Sequence, residues 1–485
     1  MAMISWRLFV FSGVTMALAG CASVDSKGAF GTVQDTVQDR TGHRIEWNRG
    51  TPEDQQAGKA IQGLLGKPLT ADAAVQVALL NNPSLQASYE EVGISQADLV
   101  QAGLLKNPSF SAMIRFPNVS PLGADQEFSV AGDFLELFIL PLRKRMAALQ
   151  LEETELRVGQ EVISLAAEVK AAFYAVQAEE QLVQRLELVD DINKTAAELA
   201  DKQHEAGNIN DLDLENQRAI HTASQADVTE ARIEATRDRE ALNRLLGWTE
   251  EQPHWTVAGE LPAIPADPVS APELERRALV QRLDIAAARK RVEVLQKALG
   301  ITEGTRFFPG GVNIGVDTEK NPDRSRVTGP SIDIELPIFD QGQADVAKLQ
   351  AQLRQAQVQL TALVVNARSE IREARSVVEA RRNLADTYRT TLLPQRVRIL
   401  KLSQEQYNFM LKGSYDLLLA KQQEVQAERS YIQTWRDYWT ARSELEKAVG
   451  GFLPVEGRKA DPVVGAEPVP AAKPDDPMPG MNMNP

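Results

Sequence analysis

Cysteine occurs once in the 485 residues, at Cys21, so no disulfide can form within the chain. Aromatic residues make up only 6%, and the histidines His43, His204, His221 and His254 are too scattered to argue a site. Positive charge is short: 53 Lys and Arg stand against 67 Asp and Glu, a net charge of −14. No stretch forms a basic face, which argues against nucleic acid as a partner. Catalytic signatures are missing too. No HExxH, Walker loop, Gly-rich dinucleotide fingerprint or credible Ser/His/Asp set occurs, so the expectation is a non-enzyme without a cofactor. Asp211-Leu212-Asp213-Leu214-Glu215 superficially suggests a calcium loop, but it lacks the turn glycine and sits at a helix start. Acids there complement the helix dipole. Long apolar runs are absent as well: the stretch Leu8 to Leu18 is too short to span a bilayer as a helix.

What is abundant is helical pattern. From Gln343 to Gly450 it runs in two arms that reverse at Lys412-Gly413-Ser414. Val346, Leu349, Leu353, Ala356, Leu360 and Leu363 fall at alternating steps of three and four, a heptad seam. At 1.5 Å per residue the first arm, about 341–411, would reach roughly 100 Å. A helix of that length must line up beside others. Pro394 interrupts it and predicts a kink. Tyr407, Tyr415, Trp435, Tyr438 and Trp439 weight the last helices with aromatics, more readily packing anchors than a substrate track.

The amino-terminal run follows Arg7 and ends Leu18-Ala19-Gly20-Cys21, which resembles the lipobox of bacterial lipoproteins. That resemblance implies a signal peptide over 1–20, lipid attached at Cys21 and, with Ala22 following, sorting to the outer membrane. Residues 21–69 have little periodicity and read as an extended, lipidated arm over the surface. A first unit then spans 70–249: a helical pattern broken at Asn82-Pro83, strands about 109–117 and 127–137, a long helix about 143–206, and a helix about 210–247. Val162, Leu165, Val169, Ala172, Val176, Val183 and Leu186 keep the heptad there, with Glu179 as its exception. A Pro-rich linker occupies 250–271. A second unit, 272–451, repeats the first: strands about 307–317 and 330–337, the long helix, and a helix about 414–449. Residues 452–485 form a Pro/Met-rich tail.

The strands alternate in period two. Phe110, Ala112 and Ile114 oppose Ser111, Met113 and Arg115, and Ile332 and Ile334 oppose Ser331 and Asp333. Such faces require oil on one side and water on the other, and four strands cannot close a barrel. In lipid every backbone group must be paired, so the consistent answer is several copies sharing one barrel around an aqueous lumen.

Ala78-Leu79…Asn82-Pro83-Ser84-Leu85, its echo Ala278-Leu279…Arg282-Leu283-Asp284-Ile285, and Leu336-Pro337-Ile338-Phe339-Asp340-Gln341-Gly342 carry a likeness. With the two glycine-marked tips, their order and spacing make the chain resemble a TolC-type outer-membrane efflux channel. The resemblance implies a mainly α fold with a membrane β-barrel portion, built from two repeats. It also implies a homotrimer with a 12-stranded β-barrel continued by a long periplasmic α-helical barrel. The implied partners are outer-membrane lipid, a periplasmic membrane-fusion adaptor and an inner-membrane pump of the resistance–nodulation–division type. Two departures stand out: the first repeat lacks a glycine after its strand, and the second tip has Met410 where members often place glycine, three residues after Tyr407.

The resemblance places Gly207, Asp211, Gly413 and Asp416 at the periplasmic mouth, where the two aspartates would ring a gate; N-terminal capping is the competing reading. Met478, Met481 and Met483 present three thioethers suited to Cu(I). Tyr407-Asn408-Phe409-Met410-Leu411 and Asp437-Tyr438-Trp439 resemble members associated with copper or heavy-metal resistance, so metal ions are the first expected cargo and organic toxicants the second. The rival reading is a lipid-anchored coiled-coil structural or adhesion protein. It leaves the four amphipathic strands unexplained.

Overall fold

The computed structural model describes residues 26–116, 118, 124–248, 255–257, 259–265, 271–308 and 311–453. The apolar amino-terminal run, Cys21 and the three tail methionines lie outside these. Eleven α-helices and four strands follow in chain order among the described residues. They are α1 Ser26–Thr41, α2 Pro52–Leu65, α3 Ala71–Asn81, α4 Pro83–Ala102, β1 Ser109–Arg115, β2 Asp125–Asp133, α5 Glu136–Glu205 and α6 Asp211–Leu245. The second half supplies α7 Ala271–Gln281, α8 Leu283–Thr305, β3 Val312–Lys320, β4 Arg326–Ile334, α9 Gln343–Thr387, a π-helical turn Tyr388–Leu392, α10 Leu393–Asn408 and α11 Ser414–Val449.

The order helix pair, strand pair, long helix, returning helix occurs twice. Each helix pair breaks at an extended residue, Asn82 (ψ 119°) in one half and Arg282 (ψ 120°) in the other. Asn82 caps α4 by accepting from the Leu85 amide at 3.0 Å. Each returning helix ends on a left-handed glycine pressed against that break. Gly247 (φ +71°) lies so near that a Cβ would stand 2.5 Å from the Asn81 carbonyl, and Gly450 (φ +84°) so near that one would stand 3.2 Å from the Arg282 backbone. The same backbone solution appears in both units although their sequences differ.

The heptad seams are buried only in part: Leu349, Leu353, Leu360 and Leu363 of α9, and Leu165, Ala172 and Val183 of α5, stay partly exposed. In α9, Val346, Ala356, Ala367, Ile371, Val378 and Ala385 face inward. In α5, Val162, Val169, Val176 and Leu186 do so. Glu179 fills its seam position as a buried carboxyl, pushed up by burial and by Asp238 and drawn back by Arg436 and Arg429. The α5 helix runs for 70 residues, roughly 105 Å, starting directly after β2 and carrying Pro141 in its second turn. Pro394 is met by the π-helical turn just before it, in which the Leu393 amide reaches back to the Tyr388 carbonyl. The proline's missing donor is thereby absorbed in a wider turn.

The arm expected to be extended is helical instead. Ala29, Phe30, Val33 and Val37 of α1 recur at helical spacing and join Ile45, Trp47, Tyr89 and Phe173 in the main core. The linker is likewise stitched down: Trp255 is buried and donates to Asn243 at 3.0 Å, and Leu69 pairs with Val257. Trp435 and Trp439 both donate to the Pro262 carbonyl, at 2.9 and 2.8 Å, and Tyr438 is buried beside them. These aromatics therefore act as anchors.

The four strands form one antiparallel sheet in the order β1-β2-β3-β4, so the two repeats join at β2 and β3. The expected strand limits shift. β3 begins at Val312 because α8 and its terminal turn extend through Phe308. β4 begins at Arg326 because the Asn321–Ser325 turn is tight, closed by the Asn321 amide on the Ser325 carbonyl at 3.0 Å. Pro330 lies within β4, opposite Val316 of β3.

Gly247→Ala is expected to lower stability by more than the roughly 1–2 kcal/mol of a left-handed alanine, because backbone blocks the new methyl. Gly450→Ala, with more room, costs less; thermal melts of the two variants check the order. A second expectation concerns Glu155 in α5, whose carboxyl is raised to about 7 by burial and then by the charge of Glu152. The folded state holds this proton below about pH 7 while the unfolded chain releases it above about 4.5. This group therefore stabilises progressively as pH falls through that window. Glu155→Gln is expected to flatten that part of the melting-temperature profile and to raise the melting point at pH 8.

Candidate functional site

Strand register sorts the sheet into two unlike faces. On one, Phe110, Val130, Val316 and Pro330 form a row. Ala112, Phe128, Thr318 and Thr328 form the next, and Ile314 with Ile332 and Val312 with Ile334 continue the surface. Phe110, Ile114, Val130, Val316 and Ile332 are exposed large apolar side chains on it. At the end where strands meet helices, Phe134, Phe138, Phe307, Phe308 and Phe339 are exposed too, Phe339 at 92%. An apolar band edged by aromatic rings is the pattern of a lipid-facing barrel wall.

The opposite face carries the charge. Asp125, Glu127, Asp133, Asp317, Glu319 and Asp333 all lie on it, and Glu127 stands directly opposite Glu319. Like charges at such positions repel. Arg115 is the one strand cation on this face, reaching Asp125 at 3.2 Å and Glu127 at 3.3 Å. An acidic, solvent-facing wall concentrates cations in the space beside it.

The far ends of the long helices form two tips. At the first, Gly207 (φ +75°) ends α5, with the Asn208 amide donating to the Gln203 carbonyl at 2.8 Å. The α6 cap is Asn210, which accepts from the Asp213 amide at 2.9 Å. Asp211 is thus not the cap. Its carboxylate meets His204 Nε2 across the turn at 2.6 Å. At the second tip the left-handed residue is Met410 (φ +59°), with the Leu411 amide donating to the Gln406 carbonyl at 2.9 Å. Gly413 is extended and serves as the cap position of α11. The expectation that both glycines turn the chain therefore holds for Gly207 and fails for Gly413. Counted from the caps, Asp416 matches Asp213 rather than Asp211. Phe409, Met410, Leu411 and Leu212 leave the tips exposed and apolar, a feature that reading the glycines and aspartates missed. Consecutive large apolar residues beside a turn were its signal.

Among the described residues, no helix is long and apolar enough to cross a membrane, and no group of three or more His, Cys, Asp or Glu could hold a metal ion. No family model matches the chain. It is similar to the cobalt-zinc-cadmium resistance protein CzcC of Cupriavidus metallidurans, at 25% identity over 287 residues, 58% of this chain. The chain spans 65% of the length of that curated relative. Among solved structures it matches CusC with a TM-score of 0.66 and 18% identity, over 79% of this chain and 92% of that one. It matches the outer-membrane channel OprN with a TM-score of 0.66 and 18% identity, over 84% and 94%. The Campylobacter jejuni CmeC outer membrane channel matches at 0.67 and 16%, over 84% and 90%.

The chain has the TolC-type outer-membrane channel fold. Within that fold the acidic sheet face and the two tips lie at opposite ends of the long helices. Met410 occupies a backbone conformation that glycine adopts without strain, and its side chain is 93% exposed. Met410→Gly is expected to stabilise the tip by about 0.5 kcal/mol, the relieved strain exceeding the added freedom of the unfolded chain. Equilibrium denaturation of the two proteins checks it.

Proposed function

We propose that three copies of this chain close their sheets into one 12-stranded barrel in the outer membrane, continued by their paired helices across the periplasm. The assembly is a passive conduit of a tripartite efflux system and performs no chemistry. The observation that carries this reading is the sheet: an exposed apolar face, an acidic opposite face, and two unpaired edges, β1 and β4, that neighbouring copies can join.

The exposed apolar tips are the proposed contacts for a periplasmic membrane-fusion adaptor, coupled to an inner-membrane pump of the resistance–nodulation–division type. Gly207, Asp211, Gly413 and Asp416 belong to that mouth, with the His204–Asp211 contact bridging its first turn. Heavy-metal cations are the proposed cargo, supported by the name of the CzcC relative and by the acidic wall. Lipid on Cys21 anchors the chain in this reading, and Met478, Met481 and Met483 offer soft ligands to Cu(I).

Reconstituted in a planar bilayer, the purified protein is expected to give discrete cation-selective conductances. Glu127→Gln with Glu319→Gln is expected to lower the cation-to-anion permeability ratio, and unchanged selectivity would remove the acidic wall from the mechanism. Neutralising Asp211 and Asp416 tests the mouth in the same way. Absence of any conductance would favour a structural or adhesive lipoprotein, and growth of a deletion strain across cobalt, zinc, cadmium, copper and organic toxicants identifies the cargo.

A further inference from the structure

Charge on the apolar face of the sheet is confined to one place. The six strand carboxylates all lie on the other face, and the rows from Val312 to Thr318 carry no charged residue. The next row reads Ile114, Gln126, Lys320 and Arg326. Lys320 and Arg326 are direct cross-strand partners. Two cations placed opposite each other repel, and among the described residues neither has a carboxylate within ion-pair distance. The carboxylate of the adjoining turn, Asp323, is already engaged, accepting from the Ser325 amide at 2.9 Å and its hydroxyl at 2.6 Å. An anion from outside the chain would relieve the repulsion.

Position decides which anion. All four strands meet the helices at one end, where Ser109 follows α4, Asp133 precedes α5, Val312 follows α8 and Ile334 precedes α9. Lys320 and Arg326 close the hairpin at the other end. From Val312 to Lys320 a tilted strand rises about 20 Å, nearly the height of a lipid-facing band. The cation pair thus sits where hydrocarbon gives way to headgroups, on the side away from the helices. Long cationic side chains at such a boundary extend into the phosphate layer.

We propose that Lys320 and Arg326, flanked by the Gln126 amide, form a binding site for the phosphate of an anionic lipid headgroup in the outward leaflet. The site rests on the membrane reading of the sheet given above. Arg326 supplies a planar fork of donors, Lys320 a second charge, and one phosphate between them removes the repulsion and fixes the hairpin at the bilayer surface.

The test uses the full-length protein reconstituted in phosphatidylcholine bilayers doped with phosphatidylglycerol, then extracted and weighed by native mass spectrometry. The wild type is expected to retain phosphatidylglycerol, and Lys320→Gln with Arg326→Gln to reduce that retention about tenfold. Arg115→Gln, at the same height on the opposite face, is expected to retain it fully. The charge-preserving pair Lys320→Arg with Arg326→Lys should retain it too, which separates lost charge from lost folding. Wild-type protein that inserts while the double Gln variant keeps its lipid overturns the site and leaves the channel reading standing. Protein that fails to float with vesicles overturns both. Loss of the retained lipid on adding inorganic phosphate at equal concentration assigns the site to a free anion and overturns the lipid assignment.

Discussion

An unpaired strand edge cannot rest in hydrocarbon, and the proposed assembly follows from this constraint. Among the described residues, each chain offers four strands with the outer edges of β1 and β4 open and an apolar face left exposed. In the proposed assembly, closure comes from other copies. Once the strands are arranged round an axis, the helices that continue from them inherit the arrangement. Long, thin-seamed helices suit that inheritance. Ala356, Ala367 and Ala385 in α9 permit close approach over a great length without the bulk of a globular core. Most of the packing that resists unfolding is concentrated midway, where α1, α3, α4, the linker and the tryptophans of α11 wrap the bundle.

The repeat was legible because it lives in backbone punctuation as much as in side chains. Gly247 and Gly450 sit against Asn81-Asn82 and Gln281-Arg282, and those four places are what the eye aligns first in the sequence. The heptad seams and the two strand faces were also legible, since periods of 3.5 and 2 survive in the chain itself. Other features were hidden for identifiable reasons. Gly28 and Gly31 dilute the pattern of α1, whose burial depends on partners some fifty residues and more away, such as Tyr89 and Phe173. The role of Gly413 was misassigned because a glycine near a reversal invites the turn, and the turn was taken instead by Met410 three residues earlier. The His204–Asp211 contact and the cross-strand pairing of Lys320 with Arg326 depend on geometry across turns, which spacing alone does not reveal.

Two buried or half-buried acids show how such a thin structure handles charge. Glu179 interrupts a seam that apolar residues otherwise fill, and arginines from the returning helix α11 lie near enough to moderate its desolvation. Glu155 has no such help and is held toward its neutral form. Elsewhere the helices exchange pairs across their grooves, Arg232 with Glu187 at 2.6 Å and Arg218 with Asp201 at 2.8 Å. Exposed pairs of this sort contribute little stability, on the order of 0–1 kcal/mol each, but they oppose sliding of one helix along another.

The two tips are built alike and finished differently. One turns on a relaxed glycine and bridges itself with a histidine and an aspartate; the other turns on a methionine and presents three consecutive apolar side chains. Around the proposed ring of three copies these alternate, which gives its mouth threefold rather than sixfold symmetry. Any protein that docks there meets two inequivalent classes of socket, and occupancy of one class leaves the chemistry of the other still to be satisfied.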